Sequence, residues 1–169
     1  PDFVQVGFAG SGSIAFMNQA NQQGLEYPIY FHVIHEPLLR GVSPDVYDTV
    51  PVFTPVEYAY SLDNDKNTDF VEAYESEFGM VPAKPAGLPY KHLDSAFQAF
   101  DTASSMGADD LVSSYGDWAG TTITGDFEMR ACDHQARYPM YEAEVTELSE
   151  EGEVTWDIVN DIAMDDDPV

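Results

Sequence analysis

Residues 2–36 read DFVQVGFAGSGSIAFMNQANQQGLEYPIYFHVIHE, and the order of patterns within them decides the fold class. Asp2–Phe8 alternates and ends apolar (Phe3, Val4, Val6, Phe8), as a strand does. Ala9-Gly10-Ser11-Gly12-Ser13 follows as a turn. Ile14, Phe16, Met17 and Ala20 then recur at a helical period until Gly24 stops it. Tyr27–Ile34 resumes as an apolar run rich in β-branched and aromatic residues, a second strand. A strand–helix–strand unit dictates a right-handed crossover and a parallel pair, hence an α/β fold. Open parallel sheets bind ligands beyond the carboxyl ends of their strands. The turn at residues 9–13 and the strand end at residues 33–36 are therefore the first places to expect a site.

Outward from this unit the chain alternates breakers and periodic runs. Pro37–Pro44 reads as a loop. Val50–Val56 is apolar but carries Pro51 and Pro55, which predicts an edge strand or a crossing segment. Ser61–Asn67 is polar and turn-forming, the best internal boundary. Thr68–Phe78 places Phe70, Val71, Tyr74 and Phe78 on one helical face. Val81–Pro89, with three prolines, reads as a loop. Tyr90–Met106 and the shorter Asp109–Tyr115 read as helices. Thr121–Ile123 and Asp126–Ala131 are strand-like, and Tyr138–Val145 completes what resembles a hairpin with a long tip. From Glu147 the chain is an acidic tail with one apolar patch (Val154, Trp156, Ile158, Val159) before Asp165-Asp166-Asp167. No internal repeat is visible.

The 169 residues hold 31 acidic and 6 basic side chains, a net charge of −25, with a hydrophobic share of 44%. That share supports a packed core, so the charge does not signal disorder. A surface this negative repels polyanions, which excludes nucleic acid as a partner. The acids are spread singly and in pairs from Asp45 onward. Spread acidity with so few cations predicts a surface kept hydrated in strong salt, and a halophilic source. Cys132 stands alone, so it forms no internal disulfide and no Cys-x-x-Cys zinc pair. No run of about 18 apolar residues is present. The chain opens on Pro1 without a signal-peptide pattern, as expected of a processed chain or a fragment.

The chemistry-bearing constellations are weak. His32-x-x-His35-Glu36 has i+3 spacing in strand-like sequence, where a helical zinc motif needs i+4. Asp63-Asn64-Asp65-Lys66-Asn67 begins like a calcium loop, but Thr68 replaces the required glycine and Tyr74 stands where the bidentate Glu belongs. That leaves a turn and a helix N-terminus. Gly10-Ser11-Gly12-Ser13 lacks the Lys-Ser/Thr of a P-loop and the third glycine of a dinucleotide fingerprint. Its amides and hydroxyls could meet a polar or anionic ligand group, or Ser11 or Ser13 could simply cap the helix. No Gly-x-Ser-x-Gly elbow occurs, so an enzyme on this scaffold would have to use His35 and Glu36 as an acid/base pair. No cofactor or metal is expected.

Other features are shared with a known family. Asp2-Phe3-Val4 before the Gly-rich turn, Asn18-Gln19-Ala20 and Gly24, then Phe70-Val71-x-x-Tyr74 and Phe78-Gly79-x-x-Pro82, and Tyr90 opening an Ala-rich helix, come in a recognisable order. They resemble the second lobe of the branched-chain amino-acid (Leu/Ile/Val) type solute-binding proteins of ABC transporters. Arg130-Ala131-Cys132-Asp133-His134-Gln135 with Pro139 resembles the Arg-x-x-Asp-His-Gln hairpin of one subgroup. The similarity runs over residues 1–145.

The resemblance implies an α/β, two-lobed type I periplasmic-binding-protein-like fold. In it the chain supplies the second lobe's parallel sheet with flanking helices, plus first-lobe helices. Residues 1–60 and 126–145 would form the second (C-terminal) lobe. Residues 61–125 would be helices packing on the first lobe, whose sheet would lie upstream of this C-terminal fragment, and 146–169 an acidic tail. The apolar faces of Phe70–Phe78 and Tyr90–Phe100 would then be covered by that lobe. Ligand contacts would map to Gly10, Ser11 and Ser13 in the turn and to His35 and Glu36 at the next strand's end. Glu36 would suit an α-ammonium group, making a branched-chain or other amino acid the leading ligand and an amide or urea the alternative. The implied function is the extracellular or periplasmic solute-binding component of an ABC importer, monomeric, membrane-tethered and partnered by the permease subunits. A sensor ectodomain of the same fold is the other expectation.

Overall fold

The opening unit forms in the computed structural model, which describes residues 1–149 and 154–162. It consists of β1 (Val4–Val6), α1 (Ser11–Gln22) and β2 (Ile29–Phe31). The strands pair in parallel, Val4 opposite Ile29 and Val6 opposite Phe31, so the fold class is α/β. Both strands are shorter than their apolar runs. Residues 7–9 leave the ladder after β1, and His32 and Val33 bend away after β2.

Prolines caused two misplacements. A short helix, α2 (Glu36–Leu39), stands where the sequence predicts a loop, with Pro37 in its first turn, and Pro44 opens a 3₁₀ turn over Pro44–Val46. A fixed φ and a missing N–H are harmless where a helix has no carbonyl to offer. The strand β3 (Val52–Val56) is interior, not an edge or crossing segment. The sheet order is β1-β2-β3-β7-β8, with β7 spanning Met140–Leu148 and β8 spanning Val154–Ile162. The parallel ladder from β2 reaches only Val52 and Phe53, so Pro55 lies past it and its missing N–H removes no bond there. On its other side β3 runs antiparallel to β7, Val52 opposite Val145 and Val56 opposite Tyr141.

Burial alternates along β3, with Val52, Thr54 and Val56 enclosed. Val6, Ile29, Phe31, Ala143, Val145, Val154 and Trp156 are buried on the neighbouring strands. Each large apolar side chain enclosed this way contributes about 1.5–3 kcal/mol. The apolar patch expected in an acidic tail is thus strand β8, with Trp156 in the core. The aspartate run at 165–167 lies outside the described residues.

The chain divides into two units. One comprises Pro1–Val56 with Tyr141–Asp161 and holds the five-stranded sheet; the other centres on Glu57–Met140. The second contains α3 (Asp65–Phe78), α4 (Lys84–Phe100), α5 (Ala108–Gly116) and an antiparallel sheet of β4 (Ala119–Thr122), β5 (Gly125–Arg130) and β6 (Gln135–Arg137). Residues 126–140, expected with the sheet of the first unit, therefore lie in the second. The expected hairpin between 126–131 and 138–145 does not form, because β5 pairs with β4 and β6 while β7 joins the other sheet.

Asn64 caps α3, its Oδ1 accepting from the Asn67 N–H at 2.9 Å, and Gly79 ends the helix at φ 69°. Helix α4 starts inside the predicted 81–89 loop: Pro85 fits the first turn and Pro89 is carried within the helix. Gly87 on that helix lies against the Tyr58 ring, where a Cβ would sit 2.4 Å from it. Leu93 and Phe97 on α4 and Phe78 on α3 are exposed.

Candidate functional site

The parallel register brings the ends of β1 and β2 level, so the turn at 7–10 and the segment 32–35 emerge side by side. Two bonds hold them there. The His32 N–H donates to the Val6 carbonyl at 3.2 Å, and Gln5 Nε2 and His32 Nε2 lie 2.6 Å apart. This edge is the carboxyl end of the parallel pair, where an α/β sheet offers its ligand face.

Gly10 takes φ 75°, a left-handed conformation natural to glycine, and turns the chain directly into α1. No side chain caps that helix. The Ser13 N–H donates to the Gly10 carbonyl at 3.0 Å, which leaves the Ser11 and Gly12 amides to water or to a ligand, with the positive end of the helix dipole behind them. Ser11 is exposed and Gly10 half-buried. Ser13 is fully enclosed, and its Oγ donates to the Phe8 carbonyl at 3.0 Å, which braces the turn from beneath.

His35 is the N-cap of α2. Its carbonyl accepts from the Leu38 and Leu39 N–H groups, while its Nδ1 is buried without a hydrogen-bond partner. Glu36 is 4% exposed, and its Oε1 accepts the Trp156 indole N–H at 3.0 Å. The structure therefore brings all five sequence-named residues to one end of the sheet. Gly10 and Ser11 lie at the surface there, His35 lies partly so, and Ser13 and Glu36 lie behind.

Two residues at this end were not named from sequence. Phe8 is exposed beside the turn, its ring edge-on to Phe16 at 6.0 Å, and Phe16 packs in turn on Phe31. Its signal was its position, the last apolar residue before the glycines. Trp156 carried no signal, since it lies 120 residues from Glu36.

The Arg130–Gln135 motif is a turn-builder. Arg130 donates to both carboxylate oxygens of Asp133 and to Gln135 Oε1, and His134 adopts φ 57°. Donation from Arg130, then from the Gln135 N–H, holds the Asp133 carboxyl down at about 2. Surface hollows lie elsewhere: one of about 270 Å³ against Phe100, Tyr115 and Met129, and one of about 260 Å³ against Tyr30, Phe53 and Glu142. Both are apolar dips with few polar groups to orient a solute, while a third of about 310 Å³ is lined by Asp109, Ser113, Asp117 and His134. Among the described residues no group of three His, Cys, Asp or Glu could hold a metal, and no helix is long and apolar enough to cross a membrane.

A family model described as periplasmic binding protein matches residues 1–152. No curated protein matches the chain. Several solved structures do. An ABC transporter substrate-binding protein from Sphaerobacter thermophilus is 19% identical with a TM-score of 0.79, over 98% of this chain and 46% of that one. A solute-binding protein from Rhodopseudomonas palustris BisB5, solved with 3,4-dihydroxybenzoic acid, is 22% identical with a TM-score of 0.74, over 96% and 44%. A branched-chain amino acid transporter substrate-binding protein from Streptococcus pneumoniae, solved with isoleucine, is 17% identical with a TM-score of 0.74, over 94% and 44%. At such identities the likeness is one of fold. The chain spans less than half the length of each. All three are named for what they bind or transport, and none for a reaction.

Proposed function

The chain belongs to the periplasmic binding protein family, and from that premise we propose that it is part of the solute-binding component of an ABC importer. It would act outside the cytoplasm, tethered to the membrane, and deliver a small polar ligand to permease subunits. One observation carries the reading: α1 begins without a side-chain cap at the exposed Gly10–Ser11 turn, level with the end of β2. The Ser11 and Gly12 N–H groups there can donate to a polar or anionic ligand group. His35 supplies a further polar edge. Ser13 and Glu36 support the turn and the start of α2 from beneath, and the Glu36 carboxylate is the group that would attract an ammonium.

The leading ligand is an amino acid of the branched-chain kind, as in the relative solved with isoleucine. Phe8 favours a second arm, an aromatic acid such as the one in the Rhodopseudomonas relative, because its exposed ring offers a stacking face. In this reading residues 61–125 pack on a further lobe, which covers exposed Leu93, Phe97 and Phe78. The ligand is then held by closure of two lobes about a hinge. The acid excess fits a protein that works in strong salt.

Thermal-shift screening of the full-length protein in high salt against amino acids, aromatic acids, amides and urea tests this. A bound ligand raises the melting temperature by mass action. A shift with aromatic acids or amides and none with amino acids sinks the amino-acid reading. Glu36→Gln should weaken an ammonium-bearing ligand by about tenfold or more; unchanged affinity would remove Glu36 from the site.

A further inference from the structure

Lys91 on α4 is 0% exposed, although lysine is almost never fully buried without a partner. Its Nζ stands 3.4 Å from the centroid of the Tyr138 ring and makes no hydrogen bond. The nearby carboxylate, Glu57, is engaged by Lys84. The groups facing the amine are therefore Glu57 from the segment after β3, Lys84 and His92 from its own helix, and Tyr138 from the segment leading into β7. Phe127 on β5 closes the cluster by packing on both His92 and Tyr138. Because these residues already seal Lys91, no additional chain can reach its amine while they stay in place.

An ammonium has three donors to satisfy, and here it finds a ring face and a shared carboxylate. A neutral amine demands far less. Burial accordingly pulls Lys91 down to about 8, with Lys84 pushing the same way and Glu57 opposing. The chain passes between its two units at Val56–Glu57, at Met140–Tyr141 and at Asp161–Ile162, and two of the groups covering the amine lie beside the first two passages.

We propose that Lys91 is a proton-operated latch on two of the three segments by which the second unit joins the rest of the chain. Proton uptake loosens Glu57–Ala59 and Tyr138–Met140 so that water reaches the ammonium, and proton loss tightens them. The sign follows from linkage. The opened amine takes its ordinary value of 10.5 and the closed one about 8, so the open state binds more protons between them. Opening therefore grows as pH falls through that window and levels off below it. This behaviour is independent of any ligand.

Amide hydrogen exchange of the full-length protein, corrected for the intrinsic pH dependence of exchange, reads the opening directly. Amides of residues 58–60 and 138–141 should gain about tenfold protection between pH 7 and pH 9, and Lys91→Met should abolish the gain. No gain in the native protein, or an equal gain in the variant, overturns the latch. Should Lys91→Met fail to fold, the native protein still decides. It has only Lys66, Lys84 and Lys91 in residues 1–169, so isotope-labelled lysine resolves each amine by NMR. A lysine titrating near 8 that contacts an aromatic ring supports the proposal, and every one of these lysines titrating near 10.5 overturns it.

Discussion

A single methyl group at Gly87 would sit 2.4 Å from the Tyr58 ring, which is itself buried. The ring or α4 must shift to admit it, so Gly87→Ala should cost about 1–3 kcal/mol by overpacking, read from the denaturant midpoint. Trp156→Phe keeps the packing of an aromatic ring but removes the N–H that Glu36 accepts in the core. Leaving that buried oxygen short of a donor should also cost about 1–3 kcal/mol in the same assay. At this scale the sequence was only partly legible. Gly10 and Ser11 could be named because a glycine-rich turn sits between two apolar runs. Ser13 and Glu36 were placed at the right end of the sheet, but their enclosure depends on Phe8 and on Trp156, and no local pattern ties Glu36 to a residue 120 positions away.

Among the elements, the turn between β5 and β6 owes its shape to Arg130 and Asp133, and its acid dependence follows. The Asp133 carboxyl lies at about 2 against an ordinary 3.8, so its contribution is complete above about pH 4 and is lost as pH falls towards 2. Asp133→Asn should remove that limb of the acid titration, and NMR of the native carboxyl should show the low midpoint. Lys91 sets a slope of the same sign in the alkaline range. Its buried ammonium weakens the fold below about pH 8, and stability recovers as pH rises towards 10.5. The full difference is about 3 kcal/mol, so Lys91→Met should raise the urea midpoint at pH 7 and leave it nearly unchanged above pH 10.

The misread elements share one cause. Pro37, Pro85 and Pro89 argued for loops, yet the first two fall in opening helical turns, and the third is carried inside α4. Strand pairing failed differently. The 126–131 and 138–145 runs are adjacent in sequence, but the partner of the latter is β3, some 90 positions away, as the Val52–Val145 pairing shows.

Across the whole molecule the dominating quantity is the charge of −25. Raising salt from about 0.1 M to about 1 M shortens the screening length from about 10 Å to about 3 Å. Self-repulsion among the surface acids should therefore fall, and the melting temperature should rise steadily with KCl. A flat response would mean the acids are already compensated and would count against adaptation to strong salt. The α/β class was legible from residues 2–36 because one glycine-rich turn and one helical period leave a parallel pair as the only short solution. The passages at 56–57 and 140–141 were not legible, since Pro55 and Pro139 beside them lie in β-prone runs and read as features of a strand and not as boundaries. Titration calorimetry of the full-length protein and its Ser11→Tyr variant shows whether a small polar solute is held at the uncapped start of α1. Isoleucine, or whichever solute of the screened panel binds, should bind the native protein saturably and at least about tenfold more weakly to the variant, with the ligand-free melting temperature unchanged. Equal affinity in the two proteins would contradict the account.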